Sequence, residues 1–285
     1  METTIFQLKK EVEEILTTNI LPYWMDKMTD VQHGGFYGRI NGQEVLMPEA
    51  EKGAILNARI LWTFSSAYRL LHKPEYLETA TRAKREIIDR FYDKEFGGIY
   101  WSISARPSAR HQEAKSMPSG FAIYGLSEYH RATGDSEALE YAIRLFHDIE
   151  AHSFDRKKNG YCEALTREWE EMADMRLSDK DANERKTMNT HLHILEPYTN
   201  LFRVWKDDSA FYRKHPIHRF KDSSGAGPHS NGFRPKRNLV EHYDFQYLKR
   251  NYPFMLVFEV FEKNDKNFLT PIGDGGFLKI PAPFI

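Results

Sequence analysis

Apolar residues recur at helical spacing in five stretches of this chain, and the breaks between the stretches are as informative as the stretches themselves. In residues 51–71, Ile55, Ile60, Leu61, Phe64, Tyr68 and Leu71 fall on one side of a 3.6-residue repeat, and His72-Lys73-Pro74 ends it. Residues 75–92 carry Leu77, Ala80, Ala83, Ile87 and Ile88 on one face, so the two segments form a helical hairpin. The plan returns in 121–133, closed by Gly134-Asp135, and in 136–151. A fifth helix is predicted over 186–206, with Pro197 expected to kink or break it after its first turns.

Three similar marks punctuate the chain, with pairs of these helices lying between them. They begin Trp24-Met25-Asp26 and end Gly34-Gly35-Phe36-Tyr37, then run Phe91-Tyr92-Asp93 to Gly97-Gly98-Ile99-Tyr100, then Phe154-Asp155 to Gly160-Tyr161. Each is an aromatic, an aspartate, a glycine turn and a short extended stretch. Gly35 to Gly98 is 63 residues and Gly98 to Gly160 is 62, and a fixed period marks repeated supersecondary units. Two helices plus an aromatic turn are the unit of an α/α toroid, in which an inner ring of helices lines a funnel and an outer ring encloses it. Six units at this period take about 375 residues, more than the 285 present. The predicted fold is therefore all-α, of the (α/α)6-toroid type but incomplete, with three to four helical hairpins, short β-turn hairpins and an irregular C-terminal tail.

Residues 1–206 form the toroid portion on this reading, and 207–285 an atypical tail. A degraded fourth mark, Phe220 to Gly227, is followed by a polar loop at 228–237 and by an apolar stretch at 252–261 that lacks helical periodicity.

Charge narrows the partners. A formal net charge of −1 and the absence of like-charge blocks exclude a nucleic-acid footprint and an anionic-membrane surface, leaving a small neutral molecule as the expected ligand. The single Cys162 excludes an internal disulfide framework and fits a reducing compartment. No apolar run approaches the roughly 20 residues of a membrane span, and residues 1–10 lack signal-peptide character, so a cytoplasmic protein is expected. Aromatics make up 14% of the chain, and rings beside polar groups suit the CH-rich faces of sugars as well as they fill a core.

The segment richest in candidate chemistry is residues 176–196. As a helix it sets Asn189, His193 and Glu196 at i, i+4 and i+7 on one face, with His191 pointing elsewhere. On an inner helix these groups offer a donor and acceptor, a proton carrier and an acceptor to a ligand. The alternative is a helix start capped by Asn189 with a buried, satisfied histidine. His191-Leu192-His193 alone does not make a zinc site, and no metal is expected. Arg59 lies among core-facing residues, where it needs acceptors, a cavity, or a snorkelling route to solvent.

Four ordered strings, Lys52 to Ser65, Phe121 to Gly134, Leu177 to Asp181, and Met188 to Arg203, resemble the cellobiose 2-epimerase and N-acylglucosamine 2-epimerase family over about residues 1–206. The resemblance implies an (α/α)6 barrel that interconverts the reducing-end glucose and mannose of a β-1,4-linked disaccharide without a redox cofactor. By position, Arg59, Ser178, Asp181 and Asn189 match the family's sugar-binding residues, and His193, which matches with them, is the candidate catalytic histidine. The family's mechanism opens the ring, removes the C2 proton and returns it to the other face of a cis-enediolate. Its two proton-transferring histidines come late, and neither is evident here, where the last histidine is His242. A further departure lies at Lys115 to Gly120, where the pattern lapses and then resumes in register like a short reading-frame disruption, and where Pro118 and Gly120 weaken a helix start.

Three functions are therefore weighed: an epimerase with impaired activity, a non-catalytic carbohydrate- or partner-binding protein, and a toroid hydrolase. The last needs opposed carboxylates, for which Asp181 and Glu196 can be named although no spacing singles them out.

Overall fold

In the computed structural model, the described residues are 2–106, 116–158, 160–175 and 183–205. The first helix, α1, is Glu2–Ile15, and the chain continues through the wider helical turns Leu16–Ile20 and Tyr23–Lys27. A two-residue strand β1, Lys52–Gly53, leads into α2, Ala54–Leu71, and then α3, Pro74–Glu86, which is extended by the turn Ile87–Phe91. After strand β2, Ser102–Ile103, come α4, Ser116–Thr133, α5, Ser136–His152, and α6, Met188–Val204. No helix among the described residues is long and apolar enough to cross a membrane. The proposed tail, 207–285, lies outside the described residues.

The connections follow from local chemistry. His72 takes a left-handed conformation (φ 54°) and its N–H returns to the Tyr68 carbonyl, so α2 stops and Pro74 opens α3 without losing a needed donor. Gly134 (φ 76°) ends α4 in the same way, and Asp135 caps α5 by accepting from the Ala138 N–H at 2.9 Å. Lys84 of α3 then binds Asp135 at 2.8 Å and Glu137 at 2.6 Å, tying one short connection to the neighbouring hairpin.

The three longer connections share one turn. Asp30, Asp93 and Asp155 donate their backbone N–H to Gly35, Gly98 and Gly160, at 3.1, 3.0 and 2.8 Å, and paired residues Thr29–Phe36, Tyr92–Ile99 and Phe154–Tyr161 close each turn. The aspartate of the first turn is thus Asp30, and not Asp26 as the Trp24-Met25-Asp26 alignment suggests. In every case Oδ1 accepts two N–H groups of the turn itself: Gln32 and His33, Glu95 and Phe96, Lys157 and Lys158. The second oxygen takes a cation from further along the chain, at 2.8 Å from Lys52, 2.6 Å from Arg167 and 2.6 Å from Arg185.

Helices α2, α4 and α6 lie side by side with α4 in the middle, while α3 packs behind α2 and α5 behind α4. Two glycines of α4 permit this spacing. A Cβ at Gly125 would stand 2.8 Å from the Ala58 carbonyl oxygen of α2, and one at Gly120 would stand 2.5 Å from the His193 carbonyl oxygen of α6.

Four expectations change. The helix predicted from residue 51 begins at Ala54, because Lys52 and Gly53 pair antiparallel with Ile103 and Ser102. Helix α4 starts at Ser116, with Pro118 in its first turn, where its missing N–H has no intrahelical partner to lose. The part of the Lys115 to Gly120 stretch among the described residues, Ser116 to Gly120, is also built into the packing, since Ser119 Oγ accepts from the Ile99 N–H at 3.1 Å. Finally, α6 runs unbroken through Pro197. A proline there leaves the carbonyl four residues earlier without its helical donor, and that carbonyl, on His193, is the one facing Gly120.

The turn aspartates make stability depend on acid. Burial pushes Asp30 and Asp93 up, but the side-chain bonds from Lys52 and Arg167 and the backbone N–H groups outweigh it and hold both below the usual carboxylate range. A lowered folded pKa gives stability that is present above the unfolded value of about 4 and lost as pH falls below it. Urea titrations at stepped pH should show unfolding free energy falling below about pH 4, and Asp93→Asn should flatten that fall while lowering stability at pH 7 by about 3 kcal/mol.

Candidate functional site on the inner helix face

Each of the three inner helices carries a stripe with the spacing i, i+3, i+7, i+10. On α2 it is Arg59, Trp62, Ser66 and Arg69; on α4, Phe121, Tyr124, Glu128 and Arg131; on α6, His193, Glu196, Asn200 and Arg203. Such spacing keeps four side chains on one helix side. The stripe of α4 faces away from the outer helices, since Tyr129 on its opposite side shares a 2.8 Å hydrogen bond with Thr81 of α3. Because the helices run in register, the stripes meet as rows.

The first row is Arg59, Phe121 and His193. The Arg59 guanidinium lies over the Phe121 ring, 5.0 Å from its centre, and the same ring packs on His193 with centres 4.6 Å apart and planes at 39°. Arg59 is exposed and the His193 side chain is 26% exposed, so the two ends of this row are open to a ligand, while Phe121 between them is buried at 6% exposure. Nδ1 of His193 sits 3.6 Å from Oε2 of Glu196.

The second row is Trp62, Tyr124 and Glu196. Trp62 and Tyr124 have ring centres 5.3 Å apart. Burial pushes the Tyr124 hydroxyl well above its ordinary pKa, and the charges of Glu196 and Glu128 push the same way, so it stays a neutral hydroxyl at any physiological pH.

The third row is polar and closed. Glu128, buried on α4, accepts from Ser66 at 3.2 Å, Arg69 at 3.1 Å, Arg131 at 3.5 Å and Asn200 at 3.4 Å. Asn200 in turn accepts from Arg203 at 3.2 Å. One carboxylate therefore locks all three inner helices together below the open rows.

Of the residues singled out in the sequence, Arg59 and His193 come together through Phe121. Asn189 is exposed, one turn before His193 on the same side of α6. Ser178 and Asp181 lie outside the described residues. The cap of α6 is Thr187, whose side chain accepts from the Thr190 N–H at 3.2 Å, and not Asn189. The satisfied histidine is His191, which is half-buried. Its Nδ1 donates to the Thr187 carbonyl at 2.5 Å and its Nε2 accepts from the Tyr161 N–H at 3.0 Å, and burial lowers its pKa, so it serves the third turn as a neutral ring. Phe121, Trp62 and Tyr124 were missed as site residues. The signal for them was the identical stripe spacing on three helices, which residue type alone conceals.

The fold class is that of an α/α toroid. Of solved structures, cellobiose 2-epimerase from Bacillus thermoamylovorans superposes with a TM-score of 0.68 at 38% identity, covering 73% of this chain and 52% of that one. D-mannose isomerase matches at a TM-score of 0.56 with 17% identity, a likeness of fold alone. The N-acylglucosamine 2-epimerase family model matches residues 35–197, and the chain belongs to that family. Among curated relatives, Bacteroides fragilis cellobiose 2-epimerase is 72% identical over 200 residues, which are 70% of this chain and 51% of the relative. A Ruminococcus albus cellobiose 2-epimerase is 40% identical over 194 residues, 68% of this chain and 49% of the relative. The chain thus spans about half the length of the curated relatives it matches.

Removing the Glu128 charge leaves Arg69 and Arg131 facing each other without their acceptor. Because both arginines are partly exposed, Glu128→Leu should cost about 2 kcal/mol rather than the larger penalty of a fully buried pair, read as a lower urea midpoint with an unchanged slope.

Proposed function

We propose that the open rows of α2, α4 and α6 bind the reducing-end sugar of a β-1,4-linked disaccharide such as cellobiose, and that the chain is a cytoplasmic sugar 2-epimerase, an isomerase that interconverts glucose and mannose. The observation that carries this reading is the Arg59–Phe121–His193 row. A guanidinium and an imidazole, both reaching solvent and both held against the buried Phe121 ring, suit the hydroxyls along one edge of a pyranose. The cellobiose 2-epimerases among the relatives support the substrate class.

In this reading Arg59 and Asn189 hold hydroxyls, with Ser178 and Asp181 completing the binding set, and His193 exchanges a proton with the sugar. Epimerisation breaks the C2–H bond of the open-chain aldose, passes through a cis-enediolate and reforms C2–H on the opposite face. It is redox-neutral and draws on general acid–base groups, with no cofactor called for. Two proton carriers on opposite faces are needed; the resemblance puts the family's pair late in the chain, where this sequence has no histidine after His242, so in this reading His193 serves as one carrier and the second is lacking. The activity of this chain is accordingly impaired.

Incubation with cellobiose should yield glucosylmannose at a rate about 10²–10⁴-fold below that of a full-length relative, the usual value of one acid–base group. Calorimetry should still detect cellobiose, with affinity reduced about tenfold in both Arg59→Ala and His193→Ala. Turnover equal to the relative's would overturn the claim of impairment. Unchanged affinity in both variants would move the sugar away from this row. Binding with no turnover at all would make the chain a carbohydrate-binding protein.

A further inference from the structure

His193 is held on three sides. Its ring packs on Phe121, its backbone carbonyl abuts Gly120, and its Nδ1 is enclosed with no hydrogen-bond partner, 3.6 Å from Oε2 of Glu196 one turn further along α6. That separation is beyond hydrogen-bond reach but within a small rotation of two side chains that are each about a quarter exposed, 26% and 28%. A neutral imidazole carries one proton on one of two nitrogens, and the partner of the first decides what the second can do. We propose that Glu196 is a positioning residue for His193, drawing the ring proton to Nδ1 and leaving Nε2 as a bare acceptor for a sugar hydroxyl. This rests on the sugar-site reading above only in its last clause. His191 on the same helix shows the pattern already made, with Nδ1 donating to an oxygen and Nε2 accepting.

The test is a long-range proton–nitrogen correlation spectrum of the full chain labelled at histidine nitrogens, with His193 assigned through His193→Gln. In the neutral ring, His193 should carry its proton on Nδ1 in the unaltered protein and in Glu196→Gln, whose amide oxygen still accepts. It should shift to Nε2 in Glu196→Leu, while the His191 signals stay in place and report an intact fold. Should Glu196→Leu fail to fold, Glu196→Ser, too short to reach Nδ1, gives the same readout. Cellobiose affinity should fall about tenfold in the leucine or serine variant and less than about threefold in Glu196→Gln. A proton on Nε2 in the unaltered protein, or a spectrum indifferent to position 196, would overturn the proposal. A proton that follows Glu196 in a chain that does not bind cellobiose would uphold the positioning role and remove the sugar-site reading instead.

Discussion

Asp30, Asp93 and Asp155 each give one carboxylate oxygen to two N–H groups of their own turn and the other to a cation from a later segment, and the described fold depends on this double use. The first oxygen fixes the shape of the turn, because it accepts from the N–H groups two and three residues on in every case. The second fixes where the turn sits. Arg167 reaches back 74 positions to Asp93 and also binds Glu95 at 2.7 Å, and Trp169, two residues on, donates from Nε1 to the Phe96 carbonyl at 2.8 Å. The hairpin closed by Leu165 and Glu171 is thereby clamped onto the second turn. Lys52, fully buried on β1, ties that strand to the first turn.

With the turns fixed, the inner helices begin in register, and register is what converts three separate stripes into rows. Arg59, Phe121 and His193 are each the sixth residue of their helix, and Ser66, Glu128 and Asn200 each the thirteenth. The lowest row uses polar groups for cohesion around Glu128, so the upper rows need not be filled by apolar packing to hold the helices together. Gly120 and Gly125 bring α4 close to both neighbours, which puts Phe121 within reach of Arg59 on one side and His193 on the other. An open, chemically varied surface is thus supported by a closed ionic floor.

Much of this was legible in the sequence, since each turn repeats the same local solution. The period of 62 to 63 residues, the stop at His72 to Pro74 and the Gly134-Asp135 junction all depend on neighbours in the chain, and all are found where expected. What was misread depends on distant residues. Pro197 reads as a break until Gly120 is seen beside the carbonyl it leaves unpaired, and Lys52 reads as a helix start until Asp30 takes its charge. Asp26 was chosen over Asp30 because it follows an aromatic, whereas the first turn has Met28 where the second has Phe91. In the site, Arg59, Asn189 and His193 stood out by type, but Phe121 and Tyr124 looked like core residues because nothing local distinguishes a ring on an inner face from one between layers.

The central claim is that Arg59 and His193, held on either side of the buried Phe121 ring, contact the sugar close to that ring's edge. Intermolecular nuclear Overhauser contacts between cellobiose and the phenylalanine rings of the full chain, with the Phe121 signals identified by their loss in Phe121→Leu, address it most directly. The account predicts contacts from the ring protons of the reducing-end glucose to Phe121. Contacts confined to other aromatic rings, with Phe121 silent while cellobiose is bound, would contradict it.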